Sequence, residues 1–139
     1  MAKDKLFHVG QKAVIEKDGQ ILILHNPQMG IDLPGGKIQE GETDFIESLK
    51  REVFEETGLT VTIHNPFHTG YFEHIKDKSY RNGGKKIFLV FFKATFTSGE
   101  IVLSEEHDNY QWIDKKSYKK LKQVSGGNVL QALKRYFND

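Results

Sequence analysis

Asp44-Phe45-Ile46-Glu47-Ser48-Leu49-Lys50-Arg51-Glu52-Val53-Phe54-Glu55-Glu56-Thr57-Gly58-Leu59 is the stretch on which the reading of the whole chain turns. It reads as one helix. Asp44 is a capping residue with Glu47 three positions later, a capping-box pattern, and Gly58 sits where a left-handed C-terminal cap is needed. On a helical wheel of roughly 100° per residue, Phe45, Ile46, Leu49 and Val53 form an apolar stripe that must face a sheet. Phe54 points away from that stripe, either toward a second contact surface or toward other strands or loops that cover it. Glu52, Glu55 and Glu56 share an arc of roughly 100° on the stripe's edge, which places them on a rim, neither in the core nor on the far solvent face.

That arc is energetically wrong for a purely structural helix. Glu52 and Glu56 are a like-charge i,i+4 pair, costing about 0.2–0.5 kcal/mol. All three acids lie in the last two turns, where the helix dipole disfavours anions by about 0.3–1 kcal/mol each at the very end. Lys50 and Arg51 offset part of this, with Arg51 expected to one side of the cluster. A divalent cation supplies the missing compensation, and hard oxygen ligands select Mg²⁺ or Mn²⁺. A solvated acidic face is the competing reading of the arc alone. Upstream, Leu33-Pro34-Gly35-Gly36-Lys37 sets bare backbone beside the helix start, where a ligand can approach or a carbonyl can reach a metal.

Further out, three turn signals lie between apolar runs: Asp18-Gly19, Asn82-Gly83-Gly84 and Ser98-Gly99. Each predicts a hairpin, since Gly and Asn accept the positive φ of tight reversals. They join Ala13–Glu16 to Ile21–Leu24, the strand around Tyr71–Glu73 to Ile87–Phe92, and Lys93–Thr97 to Glu100–Leu103. Ile21–Leu24 and Ile87–Phe92 are apolar without alternation, as in strands covered on both faces. Tyr110–Ile113 is a further strand, Lys115–Leu121 a short helical turn, and Val129–Phe137 a second helix. This order predicts an α/β sandwich with a mixed sheet between helices, in a single domain spanning residues 1–139.

Composition narrows the function. Lys plus Arg is 20 and Asp plus Glu is 19, a net charge of +1. That balance argues against a partner that is polymeric nucleic acid or a membrane surface. The chain has no Cys, so disulfides, thiolate zinc sites and cysteine nucleophiles are excluded. The apolar runs are far too short for a membrane span, and Met1–Gly10 has no signal-peptide core. The expectation is a compact cytoplasmic protein.

Gly36, Glu42 and Arg51-Glu52-Val53-Phe54-Glu55-Glu56-Thr57-Gly58-Leu59 resemble the box of the Nudix (MutT-like) hydrolase family, G-x5-E-x7-R-E-U-x-E-E-x-G-U with U aliphatic. Every fixed position is filled, and the Leu-Pro-Gly-Gly lead-in is also typical. Eight residues, Thr43–Lys50, stand where the pattern has seven. The extra residue falls near the Asp44 cap, so Glu42 either supports the loop or touches a second metal. The resemblance implies the Nudix α/β/α sandwich and a metal-dependent pyrophosphohydrolase, in which water attacks a nucleoside diphosphate linked to another group.

On that resemblance Glu52 and Glu56 are the leading metal ligands, with the Gly35 carbonyl as a backbone ligand and Glu55 as either a further ligand or the base. Arg51 orients the carboxylates. The family's later-loop glutamate falls in Ser104–Asp108, with Glu106 preferred to Glu105 as base or added ligand. Arg81, Lys85 and Tyr71 are the substrate-binding candidates, Arg81 and Lys85 among the basic residues Lys76, Lys78 and Lys86 of one hairpin. His64, His68, His74 and His107 lack paired metal spacing and read as strand or loop residues. The cofactor is then Mg²⁺ (or Mn²⁺) and the partner a small nucleotide, by default a (d)NTP or an oxidised one. The alternative is a Nudix-like regulatory module that binds a nucleotide without hydrolysis. Homodimerisation is compatible with the outward Phe54.

Overall fold

The two unbroken apolar runs lie at the heart of a mixed sheet. The computed structural model describes residues 2–74, 84–122 and 127–138. Among these, the strands are β1 (His8–Lys17), β2 (Gln20–Asn26), β3 (Gly30–Asp32), β4 (Gly35–Lys37), β5 (Thr60–His74), β6 (Lys85–Ser98) and β7 (Asn109–Ile113). The helices are α1 (Phe45–Thr57) and α2 (Asn128–Tyr136), with a single 3-10 turn at Tyr118–Lys120. The order across the sheet is β3-β2-β1-β6-β5, with β4 on β1 and β7 on β2.

β1 and β6 run parallel from His8↔Ile87 to Glu16↔Thr95, and the other pairings are antiparallel. Since β6 occupies one edge of β1 along its length, β2 and β4 must share the other. β2 pairs at Glu16 and Lys17, and β4 pairs at Gly10–Lys12. The edge is therefore split, and the chain passes through the split at Asp32–Pro34.

Ile21–Leu24 is covered on both faces, as the lack of alternation demanded, whereas Ile87–Phe92 is fully covered on one face only, with Phe88 exposed and Val90 half-buried on the other. Ile21, Ile23, Ile87, Leu89 and Phe91 pack under α2 with Val129, Ala132 and Leu133. Leu22, Leu24, Phe92 and Ala94 pack under α1 with Leu49 and Val53. Burying a side chain of this size contributes about 2 kcal/mol, which is what holds each helix to the sheet. No helix among the described residues is long and apolar enough to cross a membrane.

The Asp18-Gly19 hairpin forms, with positive φ at both residues (52° and 80°). β5 and β6 pair antiparallel as expected, but β5 is far longer than Tyr71–Glu73 and its register is shifted around Pro66. As an edge strand it can carry a proline. The Asn82-Gly83-Gly84 turn lies largely outside the described residues. The Ser98-Gly99 hairpin does not form. After β6 the chain leaves the sheet, and Val102 and Ser104 donate their N–H groups to Thr57 O and Glu56 O at the end of α1. The last helical carbonyls needed partners, and this segment supplies two of them.

The stripe of α1 is also shorter than its wheel. Leu49 and Val53 are buried, whereas Phe45 and Ile46 remain 46% and 39% exposed. They stand in the first turn, beside an open groove lined by Phe7, Val9, Ile38 and Val90. Phe54 points outward, as its place on the wheel requires.

Candidate active site

α1 is fixed at both ends by the residues its sequence announces. Asp44 accepts a bond from Glu47 N (3.1 Å), and Gly58, at φ 77°, returns its N–H to Phe54 O. The helix thereby lies against β4, where two glycines allow an approach that a side chain would block. A Cβ on Gly36 would fall 2.5 Å from Glu52 Oε2, and one on Gly35 would fall 1.9 Å from Gln11 O on β1. The Gly35 N–H donates to Glu56 Oε2 (2.8 Å). Residues far apart in sequence are thus held together by backbone that carries no side chain.

Arg51 stands at the centre of the acids, not to one side. Its Nη1 donates to both oxygens of Glu55 (2.9 and 3.0 Å), and its Nη2 to Glu42 Oε2 (3.0 Å) and Glu52 Oε1 (3.4 Å). The eight-residue spacer still delivers Glu42 to this clamp, and Gln39 N holds the other Glu42 oxygen (2.7 Å). The planar guanidinium is suited to bridging several carboxylates at once. Glu55 is consequently turned to Arg51.

Glu56 does not sit on a rim. It is 7% exposed. Burial pushes its carboxyl up from 4.5 to about 7, against the pull of Lys12, the Gly35 N–H and His107. Burial also raises Glu52, opposed by Arg51 and reinforced by Glu55 and Glu42.

Behind Glu56 lies a polar chain with no motif in the sequence. Lys12 Nζ donates to Asp32 Oδ1 (3.0 Å) and Leu33 O (3.1 Å), and Asp32 Oδ2 is 2.9 Å from His107 Nε2. Burial works against Asp32's charge, but Lys12, His107 and the Leu33 N–H hold its carboxyl down at about 2. Burial likewise opposes charge on Lys12 and His107, and their acidic neighbours raise both above their ordinary values. His107 stands in a loop, as expected, but is 4% exposed and held by Asp32. Lys12 and Asp32 gave no signal beyond being charges in apolar surroundings, which is itself a hint of pairing.

The loop that closes the end of α1 carries Glu106 and His107 back over Glu56. Ligand atoms of Glu56, Glu106 and His107 all lie within 4.8 Å of one another. Glu52, Glu56, Glu106 and Lys12 line a cavity of about 590 Å³, together with Phe72 and Asn128. That is an ordinary size for a small-molecule site.

The substrate-binding candidates fare unevenly. Tyr71 is outside the cavity lining, with its hydroxyl on Glu73 Oε2 (2.9 Å) and its ring against Phe7. Its backbone carbonyl accepts from Asn128 Nδ2 (3.3 Å). Lys85 opens β6, paired in register with His74. Arg81, Lys76, Lys78 and Tyr80 lie outside the described residues.

A sheet between two helices, with a clamped glutamate cluster bent around a Gly-Gly strand, defines a protein of the Nudix class. The family model for the NUDIX domain matches residues 7–133, and the chain belongs to that family. It is 30% identical to the uncharacterised Nudix hydrolase YvcI of Bacillus subtilis over 122 residues, 86% of this chain and 75% of that one. It is 29% identical to the nucleoside triphosphatase NudI of Escherichia coli over 84 residues, 58% of this chain and 59% of that protein. The crystal structure of a MutT protein from Methanosarcina mazei superposes with a TM-score of 0.77 at 25% identity, covering 99% of this chain and 96% of the other. The chain is thus a hydrolase of phosphorus-containing acid anhydrides, in a family that generally uses a divalent metal and acts on small nucleotides.

Proposed function

We propose that this protein is a divalent-metal-dependent pyrophosphohydrolase of nucleoside triphosphates, deoxy or oxidised forms included, with Mg²⁺ or Mn²⁺ as its ion. One observation carries the reading: the buried Glu56 and half-buried Glu52 line, with Glu106, a cavity of about 590 Å³ that an aromatic ring and an amide also line. Hard oxygen donors fit such a cation, and Arg51 and Lys12 neutralise only part of the acidic cluster. Glu52 and Glu56 hold it, with the Gly35 carbonyl as a backbone ligand. When bound, it neutralises the pyrophosphate and lowers the pKa of the attacking water.

The chain's own residues do the rest. Arg51 keeps Glu42, Glu52 and Glu55 in fixed rotamers, so the ligands need no reordering when substrate arrives. With both its oxygens on Arg51, Glu55 buttresses the clamp. Glu106 is exposed at the cavity, and with one oxygen free for the ion its other oxygen takes the proton as water oxygen bonds to phosphorus and the anhydride P–O bond breaks, the leaving phosphate keeping the bonding electron pair. The name of NudI supports a triphosphate substrate.

The test is a phosphate-release panel with Mg²⁺ over dNTPs, oxidised dNTPs, ADP-ribose, nucleotide sugars and dinucleoside polyphosphates. Triphosphates are expected to turn over fastest, and chelator to stop the reaction. Faster turnover of another class removes the substrate assignment, and silence across the panel removes the activity.

A further inference from the structure

The chain Lys12–Asp32–His107 ends on one atom that is not satisfied. Asp32 Oδ1 accepts from Lys12 Nζ and from Leu33 N (2.8 Å), and Oδ2 is engaged with His107 Nε2. His107 Nδ1 is fully buried with no hydrogen-bond partner among the described residues. Buried polar atoms of this kind are rare enough to require a ligand, a water or an ion.

The tautomer narrows the choice. With Asp32 held as a carboxylate by Lys12, Nε2 carries a hydrogen, and Nδ1 offers its lone pair in the neutral ring that a cation would bind. A carboxylate on the far nitrogen is the usual support for a metal-bound histidine, since it orients the ring and makes the near nitrogen more basic. The ring belongs to the group in which ligand atoms of Glu56, Glu106 and His107 lie within 4.8 Å of one another. Two carboxylates and an imidazole gathered that closely form a set whose protons a cation would displace on binding.

We propose that His107 is a nitrogen ligand, through Nδ1, to a divalent cation shared with Glu56 and Glu106, and that this donor makes the site prefer Mn²⁺ or Co²⁺ to Mg²⁺. The inference rests on reading this cavity as a cation site and goes beyond it by adding a ligand of a different element. Imidazole nitrogen binds first-row transition ions well, whereas Mg²⁺ keeps to oxygen and retains its waters. Asp32 is then a positioning residue, acting through the His107 ring.

Mn²⁺ is titrated into the protein with ordinary and with ¹⁵N-labelled histidine, and electron spin echo spectra are read for nitrogen coupling. Coupling that changes with the isotope is expected in the wild type and is expected to vanish in His107→Gln, whose amide can still serve Asp32 but has no ring nitrogen. His107→Gln should weaken Mn²⁺ binding by about tenfold or more and Mg²⁺ binding by less than about threefold. Mn²⁺ bound in the wild type without nitrogen coupling overturns the inference while leaving the pyrophosphohydrolase reading intact. Coupling that persists in the variant also overturns it. If Mn²⁺ does not bind the wild type at all, both readings fall. The wild-type spectra decide the question even if the variant does not fold.

Discussion

Glu56→Gln separates what the fold requires of this residue from what the chemistry requires. Glu56 is buried, and its carboxyl is raised from 4.5 to about 7. Between those values the folded chain binds the proton that the unfolded chain has lost, so stability falls as pH rises through that window. At about 1.4 kcal/mol per pH unit the full cost is about 3 kcal/mol above pH 7. Gln keeps an oxygen for the Gly35 N–H and has no charge to desolvate. In chelator at pH 8.5 the variant should therefore melt higher than the wild type, by about 10 °C for a chain of this size. At pH 4.5 the two melts should nearly coincide. Adding Mg²⁺ should stabilise the wild type and leave the variant unmoved, with turnover lost. The assay is a set of thermal melts at both pH values, with and without Mg²⁺. A variant that melts at or below the wild type at pH 8.5 in chelator would show that Glu56 is not a desolvated charge, and the electrostatic account of the site would fail.

Three further outcomes are expected. Gly36→Ala drives a methyl into Glu52, which lies 2.5 Å from the new atom, so the Mg²⁺-induced shift in melting should disappear while the metal-free fold persists. Asp32→Asn removes the charge that holds Lys12 and His107. With Asp32 at about 2, the stability it contributes is present above about pH 4 and lost as pH falls toward 2. The variant should be less stable by about 2–3 kcal/mol at pH 7 in urea titrations, with the difference vanishing near pH 2. Arg51→Lys leaves one ammonium where a planar fork spanned three acids, so turnover should fall at least about tenfold with the melting temperature nearly unchanged.

Much of the fold could be read along the chain because its signals are local. The Asp44 and Gly58 caps bound α1, the Asp18-Gly19 turn closes a hairpin, and the unbroken run Ile21–Leu24 demands cover on both faces. These depend on backbone geometry and nearest neighbours. The Ser98-Gly99 hairpin failed because its partner was not a strand: unpaired carbonyls at the end of α1 took the backbone donors of Val102 and Ser104. Phe45 and Ile46 stayed exposed because periodicity says which way a side chain points, and not how far the sheet beneath it extends.

The candidate site divides along the same line. That Glu52, Glu55 and Glu56 cluster beside Arg51 follows from helical spacing alone, and Gly35 and Gly36 are recognisable as backbone that something must approach. Burial of Glu56, the arrival of Glu42 at Arg51 despite a longer spacer, and the chain from Lys12 through Asp32 to His107 came from long-range packing. β1, the β3–β4 passage and the loop before β7 meet only once the sheet has formed, and desolvation belongs to that meeting. A sequence records charges and their order; whether water reaches them is settled when distant strands close over them.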